Sequence, residues 1–287
     1  MVLANFGRSA LLGTEAGAVH CTVRGRQLRL VCGDRVQWGD AAGGAMVVAV
    51  LARDNVLERI DNRGRAEAVA ANITRLAVVI APSPTPEWFV IDRFLAGAHL
   101  KDIPALLIVN KCDLDLEPLR ADLAVYRRIG IACHEICAKS PATLASLRAL
   151  ITTGATMLVG QSGVGKSSLI NALLPDAQAQ TAALSRDAEG RHTTTTARRY
   201  EMPGGAALID APGVRDFAPP AAIQRAAERG FVEIHATGVG CRFNDCRHFD
   251  EPGCAVRAAV EAGAVDARRY ESYRRLARLF ESFRAHD

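Results

Sequence analysis

The sequence predicts an α/β protein: a parallel-sheet unit of P-loop type, preceded by an OB-type β-barrel and followed by a mostly helical, metal-binding unit. Three observations carry this prediction. Between residues 66 and 218, continuous apolar runs alternate with helix-like segments, as in a parallel sheet with right-handed crossovers. The first 65 residues hold short alternating runs broken by glycine, the pattern of a small barrel. After residue 240, three cysteines and a histidine crowd together among turn residues.

The chain of 287 residues is long enough for two or three compact units. No apolar run approaches the ~20 residues needed to span a bilayer. The opening Met-Val-Leu-Ala-Asn-Phe-Gly-Arg lacks the apolar core and cleavage pattern of a secretory signal. A cytoplasmic protein with no membrane partner is expected. A net charge of +4 is compatible with a nucleic-acid partner without demanding one. Lysine occurs only at 101, 111, 139 and 166, and the last three fall inside the motifs described below. Arginine's planar fork does not replace a compact ammonium in a tight phosphate loop.

In the N-terminal unit, residues 1–65, strands are expected at Ala18 to Val23, Gln27 to Val31, Arg35 to Trp38, Met46 to Leu51 and Asn55 to Ile60. Arg24, Arg26, Arg29 and Arg35 face a single acid, Asp34. They read either as a basic RNA-binding face or as the ordinary charges of a solvated hairpin. The polar, turn-prone Asp61-Asn62-Arg63-Gly64-Arg65 sets the first boundary.

In the central unit, residues 66–218, Arg75 to Ala81 and Ala105 to Val109 read as strands buried on both faces, with a helix over Trp88 to His99 between them. The second strand runs into Asn110-Lys111-Cys112-Asp113, which fits Asn-Lys-x-Asp, the guanine-reading signature of GTPases. The Asp113 carboxylate can accept from guanine N1–H and the exocyclic amine, whereas adenine leaves it unpaired. Lys111 can lie along the base plane, and Asn110 can brace the loops. A strand over Ile131 to Ile136 leads into Cys137-Ala138-Lys139, a variant of the Ser-Ala-Lys loop in which the Ala138 amide meets the guanine carbonyl. Cysteine in place of serine removes a supporting hydroxyl. The other reading of this loop is an ordinary strand-to-helix turn.

Gly160-Gln161-Ser162-Gly163-Val164-Gly165-Lys166-Ser167-Ser168 fits the phosphate-cradling G-x-x-x-x-G-K-[ST]. Its glycines let the backbone bend so that successive N–H groups converge on an anion. Lys166 supplies charge for the β- and γ-phosphates, and the Ser167 hydroxyl is a hard oxygen for Mg²⁺. The apolar run Thr156 to Val159 before it and Leu169 to Leu174 after it give the strand and helix that the motif needs. A polar stretch from Asp176 to Thr196 follows, ending in Gly-Arg-His and four threonines. One Thr of 193–196, here assigned as Thr194, is expected on Mg²⁺ as the γ-phosphate sensor. Ala206 to Ile209 leads into Asp210-Ala211-Pro212-Gly213. Asp210 is expected in the Mg²⁺ shell, and the Gly213 amide on the γ-phosphate. Val214 follows where many GTPases carry the glutamine that orients water. His192 is the nearest capable substitute; its other readings are a phosphate or RNA contact, or a solvated loop residue.

The guanine loops precede the P-loop, and Asp210 comes last, so the motifs of a GTPase appear in circularly permuted order. The chain therefore leaves this unit directly from the γ-phosphate sensor. In the C-terminal unit, residues 219–287, Cys241, Cys246, His248 and Cys254 form a Cys₃His set that would saturate a tetrahedral Zn²⁺ and leave no open position, so a structural metal is expected; the other reading is unrelated buried thiols beside a surface histidine. Ala267 to Phe283 reads as a helix with the apolar stripe Tyr273, Leu276, Phe280 and Phe283. Arg268, Arg269, Arg274, Arg275 and Arg278 on its remaining surface read as an RNA-facing set or as solvated charge. The cysteines at 21, 32, 112, 133 and 137 read as small core residues.

Taken together, the early guanine loops, the P-loop, Gly-Arg-His-Thr-Thr-Thr, Asp-Ala-Pro-Gly and the Cys₃His set resemble the bacterial ribosome small-subunit-dependent GTPase A family over essentially the whole chain. The resemblance implies an OB-fold, a circularly permuted P-loop GTPase domain and a zinc domain. It implies GTP/GDP, Mg²⁺ and one structural Zn²⁺. It also implies GTP hydrolysis during late maturation of the small (30S) ribosomal subunit, with binding to its 16S rRNA and stimulation by the subunit. The nucleotide residues carry over to Asn110 to Asp113 and Gly160 to Ser168, and the zinc ligands to Cys241, Cys246, His248 and Cys254. Little of the basic N-terminal extension often seen in the family precedes the barrel, so an rRNA contact by such an arm is not expected. A monomer is expected. Two other readings compete: a P-loop kinase or metabolic nucleotide enzyme, against which Asn110 to Asp113 argues, and a zinc RNA-binding protein with a vestigial P-loop, against which Lys166, Ser167 and Asp210 argue.

Overall fold

In a computed structural model, which describes residues 1–24, 28–41, 44–60, 65–174, 197–211 and 226–284, the first fifty positions build five strands. These are β1 (Val2–Asn5), β2 (Ser9–Thr14), β3 (Gly17–Val23), β4 (Val36–Ala41) and β5 (Gly44–Val50). They pair in the order β1-β2-β3-β5-β4, with β3 and β5 parallel and the other pairs antiparallel. The Val2 N–H donates to Asp34 O at 2.8 Å, and the Gly33 N–H to Val2 O at 2.9 Å, so the entry to β4 returns to β1. That closed Greek-key order is the OB-type barrel. Val2, Ala10, Leu12, Cys21, Leu30 and Val47 fill it.

The strand expected at Gln27 to Val31 is not formed over its described part, residues 28–31. Side chains take its main-chain partners instead: Asn5 Nδ2 donates to Leu30 O at 2.6 Å, and Asp34 Oδ2 accepts from the Val31 N–H at 2.8 Å. Nor is the arginine set of this unit uniformly free for a ligand. Arg35 pairs with Asp54 at 2.7 Å, while Arg53 reaches the fully buried Asp34 at the same distance. The hydrogen bond to Asp34 is the main reason the Arg53 guanidinium holds its proton more tightly than usual.

Among the described residues, β6 (Val56–Ile60) pairs with β7 (Ala66–Ala71) in an antiparallel two-stranded sheet of its own, which touches the barrel through a single β-bridge from Ala70 to Cys32. The strand expected at Asn55 to Ile60 is thus present but stands outside the barrel. Lys101 pins this hairpin through Glu58 at 2.7 Å.

The central unit continues with β8 (Arg75–Ile80), α1 (Trp88–His99), β9 (Ala105–Asn110), α2 (Arg120–Arg128), β10 (Ala132–Ile136), α3 (Pro141–Leu150), β11 (Gly154–Val159), α4 (Lys166–Leu173), β12 (Arg198–Glu201) and β13 (Ala206–Asp210). The strands lie in the order β10-β9-β8-β11-β13-β12, parallel except for β12, which runs antiparallel to β13. Alternation in β8 explains why it reads as one continuous apolar run. Leu76, Val78 and Ile80 pack with Ile91 and Phe94 of α1 and Leu123 of α2. Ala77 and Val79 pack on the other face, with Leu144 of α3 and Leu169 of α4. One rung joins barrel and core: Arg198 of β12 pairs with Asp210 of β13 on one side and with Ala4 of β1 on the other.

The C-terminal unit holds α5 (Ala226–Arg229), α6 (Val232–Gly238), α7 (Ala255–Glu261) and α8 (Ala267–Arg284) around Phe231, Ile234, Val256, Tyr273, Leu276 and Phe280. Its arginines are used differently from either sequence reading. Arg269 is only 2% exposed and donates to Asp92 Oδ1 of α1 at 2.8 Å and to Glu233 Oε1 at 2.7 Å. Tyr126 of α2 donates to the same Asp92 oxygen at 2.6 Å. Arg268 bonds Asp122 at 2.8 Å and lies over the Trp88 ring at 4.9 Å; Arg275 lies 3.9 Å over Phe89. Arg274 and Arg278 each lie 5.5 Å over Phe249. These cations clamp the last helix onto its own unit and onto α1 and α2, because stacked and fork-bonded arginine is better partnered there than in water.

Asp92 is the centre of this clamp. Asp92→Ala takes the shared carboxylate from Arg268, Arg269 and the Tyr126 hydroxyl, leaving the arginines only Asp122 and Glu233, and is expected to cost about 3–5 kcal/mol, the usual effect of breaking a buried pair from one side. Denaturant unfolding of the metal-loaded protein measures it. A loss under about 1 kcal/mol, the value of an exposed pair, would show that the clamp is only decorative.

Candidate functional site

Because β8, β9, β10, β11 and β13 are parallel, their C-terminal ends lie on one edge of the sheet, where open α/β sheets bind ligands. Asn110, Cys137, Gly160 and Asp210 are delivered there from four separated stretches of chain.

The turn from β11 into α4 runs from Gly160 to Gly165, and two of its glycines are required sterically. At Gly160, with φ +138°, a Cβ would fall 2.2 Å from Val79 O; at Gly165, with φ +95°, it would fall 2.3 Å from Asn110 Nδ2. Lys166 folds back over this loop and donates to Gly160 O and Gln161 O, both at 2.7 Å. Ser167 and Ser168 are exposed in the first turn of α4, where the helix dipole favours an anion. Val164 is buried beneath the loop, and Ser162 and Gly163 are exposed. The Gln161 side chain accepts from the Glu87 N–H at 2.8 Å and donates to Glu87 Oε1 at 3.0 Å, which fixes the loop to the start of α1. Glu87 belongs to no sequence motif, so only the fold reveals its part in the loop.

The loop after β9 is bonded directly to the P-loop. Asn110 Nδ2 donates to Val164 O at 2.8 Å, and Lys111 Nζ to Gly163 O at 2.8 Å and Ser83 O at 2.6 Å. Asn110 thus has the bracing contact expected of it. Asp113 is exposed, with its carboxylate free to face a base. The Cys137 thiol donates to Asp113 Oδ1 at 3.3 Å. The support expected to vanish with the missing serine hydroxyl is therefore supplied by sulfur. This bond, with Lys139 and Lys111 adding to it, holds the Asp113 carboxyl below its ordinary range and keeps it a pure acceptor. Thr143 closes the same loop, with Oγ1 accepting from the Cys137 N–H at 3.0 Å. Ala138 and the exposed Lys139 follow at the rim.

Asp210 ends β13 and is partly buried. Burial pushes its carboxyl up, and the Lys166 ammonium opposes that. A carboxylate and a serine hydroxyl beside an ammonium suit a hard, oxygen-seeking divalent ion. His192, Thr194 and Gly213, expected at this site, lie outside the described residues.

In the C-terminal unit, ligand atoms of Cys241, Cys246, His248 and Cys254 all lie within 4.8 Å of one another. His248 Nδ1 is 3.4 Å from Cys241 Sγ and 3.5 Å from Cys254 Sγ. The Arg257 N–H at the start of α7 points at Cys254 Sγ from 3.5 Å, a donor suited to a thiolate. His248 itself is held in the left-handed region at φ +59°, and the Tyr273 hydroxyl donates to the neighbouring Arg247 O at 2.6 Å. Three convergent thiols and one imidazole nitrogen fit Zn²⁺ in its closed, structural form. Cys241, Cys246, His248 and Cys254 would hold it, and the ion would supply cross-linking of the unit rather than reaction chemistry.

Comparison with known proteins agrees with this geometry. The family model described as RsgA GTPase matches residues 50–219, more than half of the chain. The Small ribosomal subunit biogenesis GTPase RsgA of Chromohalobacter salexigens is 44% identical, over 96% of this chain and 84% of that protein. Its namesake in Azotobacter vinelandii is 42% identical with the same coverage. Among solved structures, YjeQ from Thermotoga maritima superposes with a TM-score of 0.71 at 27% identity, covering 99% of this chain and 97% of that one. YloQ, described as a circularly permuted GTPase, gives a TM-score of 0.70 at 23% identity and supports the fold. On the matched model and the relatives above 40% identity, the chain belongs to the RsgA GTPase family.

Proposed function

We propose that the protein hydrolyses GTP while bound to the small (30S) ribosomal subunit through its 16S rRNA, late in subunit maturation, and that the subunit stimulates the reaction. Family membership makes it a ribosome-biogenesis GTPase; the rRNA contact, a monomeric cytoplasmic state and the residue roles are the finer part of the reading. The observation that supports it most is the pair of bonds from Asn110 to Val164 and from Lys111 to Gly163, which tie a guanine-reading loop to a phosphate loop about fifty residues downstream.

In this reading, residues 1–65 and 219–287 flank a nucleotide switch formed by residues 66–218. Asp113 accepts from the guanine N1–H and amine, the Ala138 amide meets the base carbonyl, and the loop from Gly160 to Ser168 holds the phosphates. Ser167, Thr194 and Asp210 would hold Mg²⁺, which supplies charge neutralisation at the β- and γ-phosphate oxygens. Lys166 stabilises negative charge on the transferring phosphoryl group. The Gly213 amide donates to the γ-phosphate, and His192 orients the attacking water.

Val214 carries no group that orients water, so turnover by the free protein is expected to be slow. Adding purified small subunits is expected to raise GTP turnover by on the order of 10²-fold or more, the usual value of one well-placed proton-handling or charge-stabilising group. Phosphate release is measured with and without subunits, with Lys166→Ala as the inactive control. An unchanged rate, with the control still silent, would remove the ribosomal part of the reading. Equal affinity for ATP and GTP would remove the guanine part.

A further inference from the structure

The metal centre has a side chain behind it that no motif announces. His248 turns Nδ1 toward the cysteine sulfurs, so in a metal-bound imidazole the proton must sit on Nε2. That nitrogen is fully buried and has no hydrogen-bond partner within normal distance. The charged oxygen facing it is Glu228 Oε2 of α5, at 3.7 Å. Glu228 is itself 5% exposed, and its other oxygen lies 3.2 Å from His235 Nδ1 of α6. Space for the pair depends on Gly238: a Cβ there would meet His248 Nε2 at 3.1 Å and Glu228 Oε1 at 3.2 Å.

We propose that Glu228 is the positioning carboxylate of the zinc centre: it accepts the Nε2 proton of His248, fixes the ring with Nδ1 on the metal, and raises the imidazole's donor strength. This rests on the Cys₃His set being a zinc site. Its consequence reaches beyond the metal. Glu228 stands at the start of the C-terminal unit, on the first described helix after Asp210. The centre is thereby finished by a residue from the chain that leaves the nucleotide edge, not by the zinc loop alone. Carboxylates that support a metal-bound histidine in this way are worth about 10–100-fold in metal affinity.

The test uses the full-length, zinc-loaded protein in competition with a chromogenic zinc chelator. Glu228→Gln keeps the size of the side chain but is a weaker acceptor, and is expected to release zinc at about 10–100-fold lower chelator concentration, with GTP affinity unchanged. His235→Gln removes only the half-exposed partner of Glu228 and is expected to hold zinc like the parent. Gly238→Ala inserts a methyl against both Glu228 and His248 and is expected to weaken zinc in the direction of Glu228→Gln. The proposal is overturned if Glu228→Gln competes like the parent or if His235→Gln loses as much zinc as it does. Should Glu228→Gln fail to fold, parent-like zinc retention in Gly238→Ala overturns it instead. A parent protein that takes up no zinc is a separate outcome: it rejects the zinc reading itself.

Discussion

Asp113→Asn is expected to weaken GTP binding by roughly 10²–10⁴-fold and to make xanthosine triphosphate the preferred nucleotide. The carboxylate is exposed, held below its ordinary range first by the Cys137 thiol, and offers two acceptor oxygens. Guanine presents two donors on that edge. Replacing one carboxylate oxygen by an amide NH₂ leaves one donor unpaired and sets N–H against N–H, at about 1–3 kcal/mol for each unsatisfied group. Xanthine has a carbonyl where guanine has its amine, so the new NH₂ finds an acceptor. The retained amide oxygen can still accept from Cys137, so the loop keeps its shape. Competition binding with GTP, ATP and xanthosine triphosphate decides the matter: undiminished GTP preference would place guanine recognition elsewhere.

Stripping zinc with a strong chelator is expected to unfold the C-terminal unit while GTP binding survives. A structural zinc site of this donor set supplies about 10–16 kcal/mol of apparent folding free energy at neutral pH in small zinc domains, more than most small units possess without it. Here the four ligands are spread between Cys241 and Cys254, and α7 and α8 pack around them. Among the described residues, the nucleotide edge draws on none of these; its contacts run among the P-loop, the loops after β8 and β9, and the start of α1. Limited proteolysis after chelation is expected to cut within residues 226–284 and to spare the central unit. Retained protease resistance there after metal loss, verified by zinc analysis, would deny the ion a structural role.

The motifs at Gly160 to Ser168 and Asn110 to Asp113 and the Cys₃His set were legible because each joins fixed spacing to a definite chemistry, and the fold brings each together. The parallel strands were legible for another reason: burial on both faces leaves an uninterrupted apolar run, as in Ala105–Asn110. What stayed hidden depended on partners distant in sequence. Val2–Asn5 is too short for alternation to register, and its pairing with β2 and with Arg198 of β12, up to ten and nearly two hundred residues away, makes it a strand. The residues 28–31 look strand-like until Asn5 and Asp34 claim their main-chain groups. The arginines of α8 look like a ligand-facing charge stripe because their counter-charges sit far away: Asp92 lies 177 residues from Arg269 along the chain. Cys137 shows the same limit on a small scale. Its identity announced a lost hydroxyl, and only geometry shows the thiol reaching Asp113.

Arg198 gives the molecule a mechanical gear. Its main chain is shared between Asp210, the expected magnesium carboxylate, and Ala4, the barrel's first strand. Hydrogen-bonded strands slide poorly but tilt together, since slippage by one residue inverts every side chain. A rotation at the nucleotide edge is therefore delivered to the barrel as a change of angle, with no flexible hinge at that rung to absorb it. The barrel cannot be re-aimed independently of the strand that carries Asp210.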